Sequence, residues 1–104
     1  MKRRCLTVLM CLIPLPATAS DATQAVRAHM QCGVINADRI DDGRMDIKRL
    51  AEKIQPLCRA KHEASMVASS AQAWKVTPKA KARELELQHT MAAVALYRDR
   101  FARR

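Results

Sequence analysis

Apolar positions recur at three- and four-residue spacing along most of the chain and nowhere alternate. The pattern therefore predicts helices and no strands. A first helix is expected from about Asp21 to Ala37, with Ser20 or Asp21 as its cap. Ala22, Val26, His29, Gly33 and Ala37 form its stripe, widened by Ala25 and Met30, with fraying toward Arg39. Gly33 lowers helix propensity there but allows a neighbouring helix to come close. A second helix is expected from Ile47 to about Trp74. Ile47, Leu50, Ala51, Ile54, Leu57 and Cys58 make a strong apolar face, continued by the smaller Ala64, Val67, Ala68 and Ala71. Pro56 removes a hydrogen bond and clashes one turn back, which predicts a kink or brief break over residues 52–55. A third helix carries Ala82, Leu85, His89, Ala92, Ala93 and Leu96 and ends near Tyr97 and Phe101. Trp74, Tyr97 and Phe101 are expected to close one end of the core.

The connections agree with this division. Asp42-Gly43 is a strong turn signal, because glycine accepts positive φ and aspartate bonds its own backbone. Asp46 then caps the second helix. The same acids do not make a calcium loop: counted from Asp38, Ile40 fills a ligand position and Arg49 stands where a closing glutamate is needed. Thr77 as cap, with Pro78 at the first helical position, is expected to open the third helix. The fold class is all-α: a small three-helix domain built on an antiparallel helical hairpin.

The first residues change the picture of compartment. Lys2, Arg3 and Arg4 precede an apolar run, which ends in Ala17-Thr18-Ala19. That is the three-part pattern of a signal peptide over residues 1–19, too short to span a bilayer. The remaining residues, 20–104, suffice for one small domain with a marginal core. No later stretch is apolar enough to span, so a periplasmic or secreted location is expected. Cleavage removes Cys5 and Cys11 and leaves Cys32 and Cys58. In an exported chain such a pair is most simply a disulfide. In an antiparallel hairpin, level residues have numbers with a constant sum. Cys32 with Cys58 gives 90 and His29 with His62 gives 91, so both pairs sit level, one turn apart. The same four residues would suit zinc if both thiols were reduced. Met30, Met45, Met66 and Met91 would suit copper, although methionines at helical spacing are ordinarily packing residues.

The chain carries a formal net charge of +9, concentrated toward its end. Lys75, Lys79, Lys81, Arg83, Arg98, Arg100, Arg103 and Arg104 outnumber Glu84, Glu86 and Asp99. Such a segment could meet anionic lipid or glycan of the envelope. Nucleic acid is disfavoured by export and by the scarcity of aromatic residues for base stacking. No phosphate loop, G-x-S-x-G or Cys-x-x-Cys occurs. Cross-linked cysteines are not nucleophiles, and Glu84 and Glu86 leave different sides of a helix. The chain is therefore expected not to be an enzyme and to need no cofactor.

Ile40-Asp41-Asp42-Gly43-Arg44-Met45-Asp46, followed by Leu50-Ala51, Ile54, Pro56 and Cys58, resembles a pattern of small uncharacterised exported helical proteins of Gram-negative bacteria. In these a first cysteine precedes a hydrophobic-Asp-Asp-Gly turn, and a helix leads to a second cysteine. The resemblance covers Cys32 to Cys58 and implies a two-cysteine helical hairpin without implying an activity. His29 and His62 are not part of that pattern. Ile47, Lys48 and Arg49 depart from it, standing where small residues follow the turn. The expected function is a non-catalytic interaction module for an envelope or extracellular protein. A basic module for anionic surfaces and a zinc- or copper-binding protein are the alternatives.

Overall fold

A computed structural model of the chain describes residues 14–101, with side chains from residue 21. The expected leader lies mostly outside these residues, as do Arg103 and Arg104. The described residues are all-helical. Helix α1 spans Pro14–Ile40 and α2 spans Ile47–Ile54. A 3-10 turn follows over Gln55–Cys58, then α3 over Arg59–Lys75 and α4 over Lys79–Arg100. The break in the second arm thus lies at Gln55–Cys58 rather than residues 52–55, with Pro56 at the start of the 3-10 turn. Pro56 has no amide to give the Glu52 carbonyl, so the α-helical ladder ends with the Gln55 amide on the Ala51 carbonyl.

The first connection is built as its sequence requires. Gly43 has φ +82°, the left-handed conformation that side chains disfavour. Asp41 Oδ1 accepts from the Gly43 amide at 2.9 Å, and Asp42 Oδ1 from the Arg44 amide at 2.8 Å. Asp46 Oδ1 accepts from the Arg49 amide at 2.8 Å and so caps α2. The Arg98 guanidinium on α4 grips Asp41 through Nη2–Oδ1 at 2.8 Å and Nε–Oδ2 at 3.3 Å. The turn is thereby tied to the end of the third arm. The second connection differs from expectation. Thr77 does not cap α4; its hydroxyl donates back to the Ala73 carbonyl at 2.7 Å. Pro78 precedes α4 instead of opening it, and its carbonyl accepts from the Ala82 amide at 2.9 Å.

The apolar core sits at the turn end. Ala37, Leu50, Ala51, Ile54, Cys58, Val94 and Tyr97 are buried together. Leu50 and Ile54 are fully enclosed, each worth ~1.5–3 kcal/mol of transfer free energy. Gly33 fits against Ala93 so closely that a Cβ on it would lie 2.5 Å from the Ala93 Cβ. This is the close neighbour its place on the stripe suggested. Two faces are rotated from those read by hydrophobicity. On α3, Ala64, Val67, Ala68 and Ala71 are exposed, and His62 and Ser65 face inward. The bond at Cys58 turns that face to α1, so a residue one turn later must face α1 too. On α4 the buried face is Ala82, Glu86, Thr90, Ala93, Val94 and Tyr97; His89 and Ala92 are exposed. The aromatic residues also separate. Tyr97 and Phe101 stack at the turn end with centroids 6.5 Å apart, whereas Trp74 packs edge-on against His62 at 5.6 Å.

Candidate functional site

The hairpin register places the site. Cys32 and Cys58 are bonded, with Cα atoms 5.9 Å apart. One turn further from the loop, the His29 and His62 rings meet with centroids 5.0 Å apart. The level pairing read from the numbers is thus realised in both pairs. The disulfide takes both thiolates out of the zinc-like His-x2-Cys and Cys-x3-His set. Asn36 on α1 packs on the bond, its amide within 3.5 Å of Cys32 Sγ and 3.6 Å of Cys58 Sγ.

His89 on α4 completes a row of three imidazoles. His62 Nε2 and His89 Nδ1 are 2.9 Å apart, so one ring donates and the other accepts. His62 is fully buried and His29 only 3% exposed. His29 Nε2 and His62 Nδ1 are buried without hydrogen-bond partners. A proton on His62 Nε2, donated to His89, leaves His62 with a bare lone pair at Nδ1. The opposite tautomer leaves an unpaired buried N–H at that position instead. Burial, then the neighbouring His29 and His89, pushes the His62 pKa down to about 4. Burial, then His89, also lowers that of His29. Both rings are neutral at neutral pH.

Beside the histidines lies a buried carboxylate that hydrophobic periodicity does not reveal. Glu86 is fully enclosed on the inner face of α4. Arg59 Nε contacts Glu86 Oε2 at 2.9 Å, Arg83 Nη1 contacts Oε1 at 3.2 Å and Gln55 Nε2 donates to Oε1 at 2.9 Å. Burial alone would raise its pKa. The Arg59 and Gln55 hydrogen bonds and the Arg59 and Arg83 charges outweigh that, and the pKa is lowered. With its oxygens engaged, Glu86 is an anchor between the second and third arms, not a free acid or base. The signal for it is weak in sequence. Ala82, Glu86, Thr90, Ala93 and Tyr97 recur at helical spacing, but two of the five are polar, so a count of apolar residues selects a different stripe.

The helices part beyond these contacts. α3 packs mainly on α1 and meets α4 at few points. A cleft therefore remains between α1, α3 and α4. One cavity of about 310 Å³ is lined by Val26, His29, Met30, Ser65, Met66, Ser69, His89 and Ala92. It continues into an open one of about 490 Å³, which shares Val26, Met30 and Ser69 and adds Leu96. Val26 is 46% exposed here.

Among the described residues of the basic segment, three cations pair with acids of the same chain. Arg83 is spent on Glu86, Arg98 on Asp41, and Lys81 on Glu84 at 3.6 Å. Lys75, Lys79 and Arg100 are exposed, but Lys79 and Arg100 lie at opposite ends of α4, roughly 30 Å apart along its axis. No described helix is long and apolar enough to cross a membrane. The Cys32–Cys58 pair points to an oxidising, non-cytoplasmic setting. Comparison of the chain with protein-family models, curated proteins and solved structures yields no match.

Proposed function

We propose that this chain is an exported, periplasmic or secreted, non-catalytic interaction module that receives an apolar helical segment of another envelope or extracellular protein in the cleft between α1, α3 and α4. The observation that carries this reading is the cleft itself. It is continuous, lined by Val26, Met30, Met66 and Leu96, and left open where three helices diverge. Methionine-lined grooves adapt to a partner's side chains, and an amphipathic helix is the usual occupant of such a groove. His29 and His89 line its floor, and the His29–His62–His89 row links the three arms beneath it. Binding to anionic lipid or glycan has less support, since Arg83 and Arg98, two of the cations proposed for it, are engaged by buried carboxylates of this chain.

The test is site-specific photo-cross-linking in cells that export the protein. A photoreactive residue at Ser69, in the cleft, should yield one discrete protein adduct. The same residue at Lys48, on the exposed side of α2, should not. Val26→Asp should abolish the adduct, and raised salt should leave it intact. Equal adducts from both positions, or none from Ser69, would refute the reading.

A further inference from the structure

Helix α3 is broken inside by one residue. Ser70 has φ −161° and ψ 68°, outside the helical region, although helix continues on both sides of it. The local sequence does not forbid a straight helix: no proline or glycine occurs from Arg59 to Lys75. The break lies at Ser69-Ser70, and helices kink recurrently where glycine or serine residues are paired. Ala60, Ala64, Val67, Ala71 and Trp74 keep an alternating four- and three-residue spacing through it. The break folds the last turn of α3 back. Trp74 packs on His62 with ring centroids 5.6 Å apart, whereas an unbroken helix would separate the two residues by ~18 Å along its axis.

That fold-back returns the chain to α4. Only Val76, Thr77 and Pro78 connect the two helices, and Thr77 is bonded back to Ala73 and Trp74. Fully stretched, the chain from Lys75 to Lys79 covers ~14 Å. A straight α3 moves its end further than this connection can take up, so α4 would be drawn off its own helices. The surface it leaves holds Gly33, Arg59 and Asp41, parted from Ala93, Glu86 and Arg98. α4 is held chiefly by α1 and α2 and touches α3 at few points. The groups that hold it precede the break, so a second copy opened in the same way presents all of them.

We propose that a second copy of this chain binds by exchange: α3 straightens at Ser69-Ser70, and each α4 docks on α1, α2 and the start of α3 of the other copy. The complementary contacts already exist within one chain: Gly33 against Ala93, Arg59 and Gln55 on Glu86, and Asp41 on Arg98. The exposed stripe of Ala60, Ala64, Val67 and Ala71 gives the straightened helices a face to share. The cleft is then walled by both copies. The exchange does not depend on another protein entering that cleft. A cross-linked adduct from Ser69 at twice the chain mass belongs to the exchange, and one of any other mass to a different partner.

The experiment is light scattering and native mass spectrometry of the disulfide-bonded chain after refolding at its highest soluble concentration. A dimer should stand beside the monomer. Ser69→Ala with Ser70→Ala favours the straight helix at four positions per dimer and should raise the association constant ~10–30-fold; Ser69→Gly with Ser70→Gly should lower it about as much. Refolding Gly33→Ala chains together with isotope-labelled Ala93→Gly chains separates exchange from side-by-side pairing. Either chain alone places two alanines or two glycines at the helix contact. An exchanged mixed dimer restores one glycine against one alanine at both contacts. Mixed dimers should outnumber either pure dimer by ~10-fold or more, against about twofold for random pairing. Random pairing would overturn the proposal, as would wild-type and Ser69→Ala, Ser70→Ala chains that both stay monomeric.

Discussion

Acidification from pH 7 to pH 4 should destabilise this protein through its histidine row. The pKa of buried His62 is about 4, against 6.5 for an ordinary imidazole. Above pH 6.5 His62 is neutral in both folded and unfolded chains and contributes no pH dependence. Below 6.5 the unfolded chain takes up a proton that the folded chain refuses, so stability falls as pH falls. The loss continues until the folded ring also titrates, near pH 4. At ~1.4 kcal/mol per pH unit, His62 alone accounts for about 3 kcal/mol across that window. His29, shifted in the same direction, steepens the slope. Glu86 has its pKa lowered, so its stabilisation is present above the ordinary carboxylate value and is lost only as pH falls through its folded pKa. Its contribution therefore fades at the acid end of the histidine window and below it. The charged groups facing the row are Glu86 on α4, which favours protonation of both buried rings, and Arg83, which opposes that of His62. The assay is urea unfolding at half-unit steps from pH 7.5 to 4. Against a typical total of ~5–15 kcal/mol, the expected loss is readily seen. His62→Gln should flatten the profile even if it lowers stability throughout. A stability independent of pH between 7 and 5 would refute the reasoning.

Gly33→Ala should destabilise by about 1–2 kcal/mol, since the overpacking against Ala93 outweighs the ~1 kcal/mol gained in helix propensity. Adding Ala93→Gly should recover part of the loss, and a double-mutant cycle without coupling would contradict the packing. Glu86→Ala should cost about 2–4 kcal/mol, because it removes the bonds to Arg59, Arg83 and Gln55 and leaves a cavity, while Glu84→Ala at an exposed pair stays within ~0.5 kcal/mol in the same thermal melts. Replacing Cys32 and Cys58 together by alanine should cost about 3 kcal/mol in denaturant unfolding, as expected for a loop of 26 residues.

Much of the candidate site's skeleton was legible in the chain. The Asp42-Gly43 turn, the Asp46 cap and the helical spacing define a hairpin, and once a hairpin is drawn its arithmetic brings Cys32 to Cys58 and His29 to His62. These features are local, or follow from local ones by helix rise alone. Glu86 and Thr90 could not be placed in the same way. Both are polar, and their burial depends on groups 27–31 residues away in the case of Glu86, where Arg59 and Gln55 supply the compensating bonds. The alanines of α3 misled for the complementary reason: small apolar residues lose little by exposure, so their spacing does not dictate which face is covered.

The sequence by itself determined the helical class, the Asp42-Gly43 connection and the register of the first two arms, because backbone propensity and residue spacing act over a few residues. The tertiary structure alone decided how α4 is rotated and which side chains share the cleft. That rotation is set by the Gly33–Ala93 approach, the Arg98–Asp41 pair and the Glu86 network, contacts between residues far apart in the chain. His29, Met30, Met66 and His89 are unremarkable in their separate helices. They share the lining of one cavity only because α3 and α4 pack on α1 and part from each other.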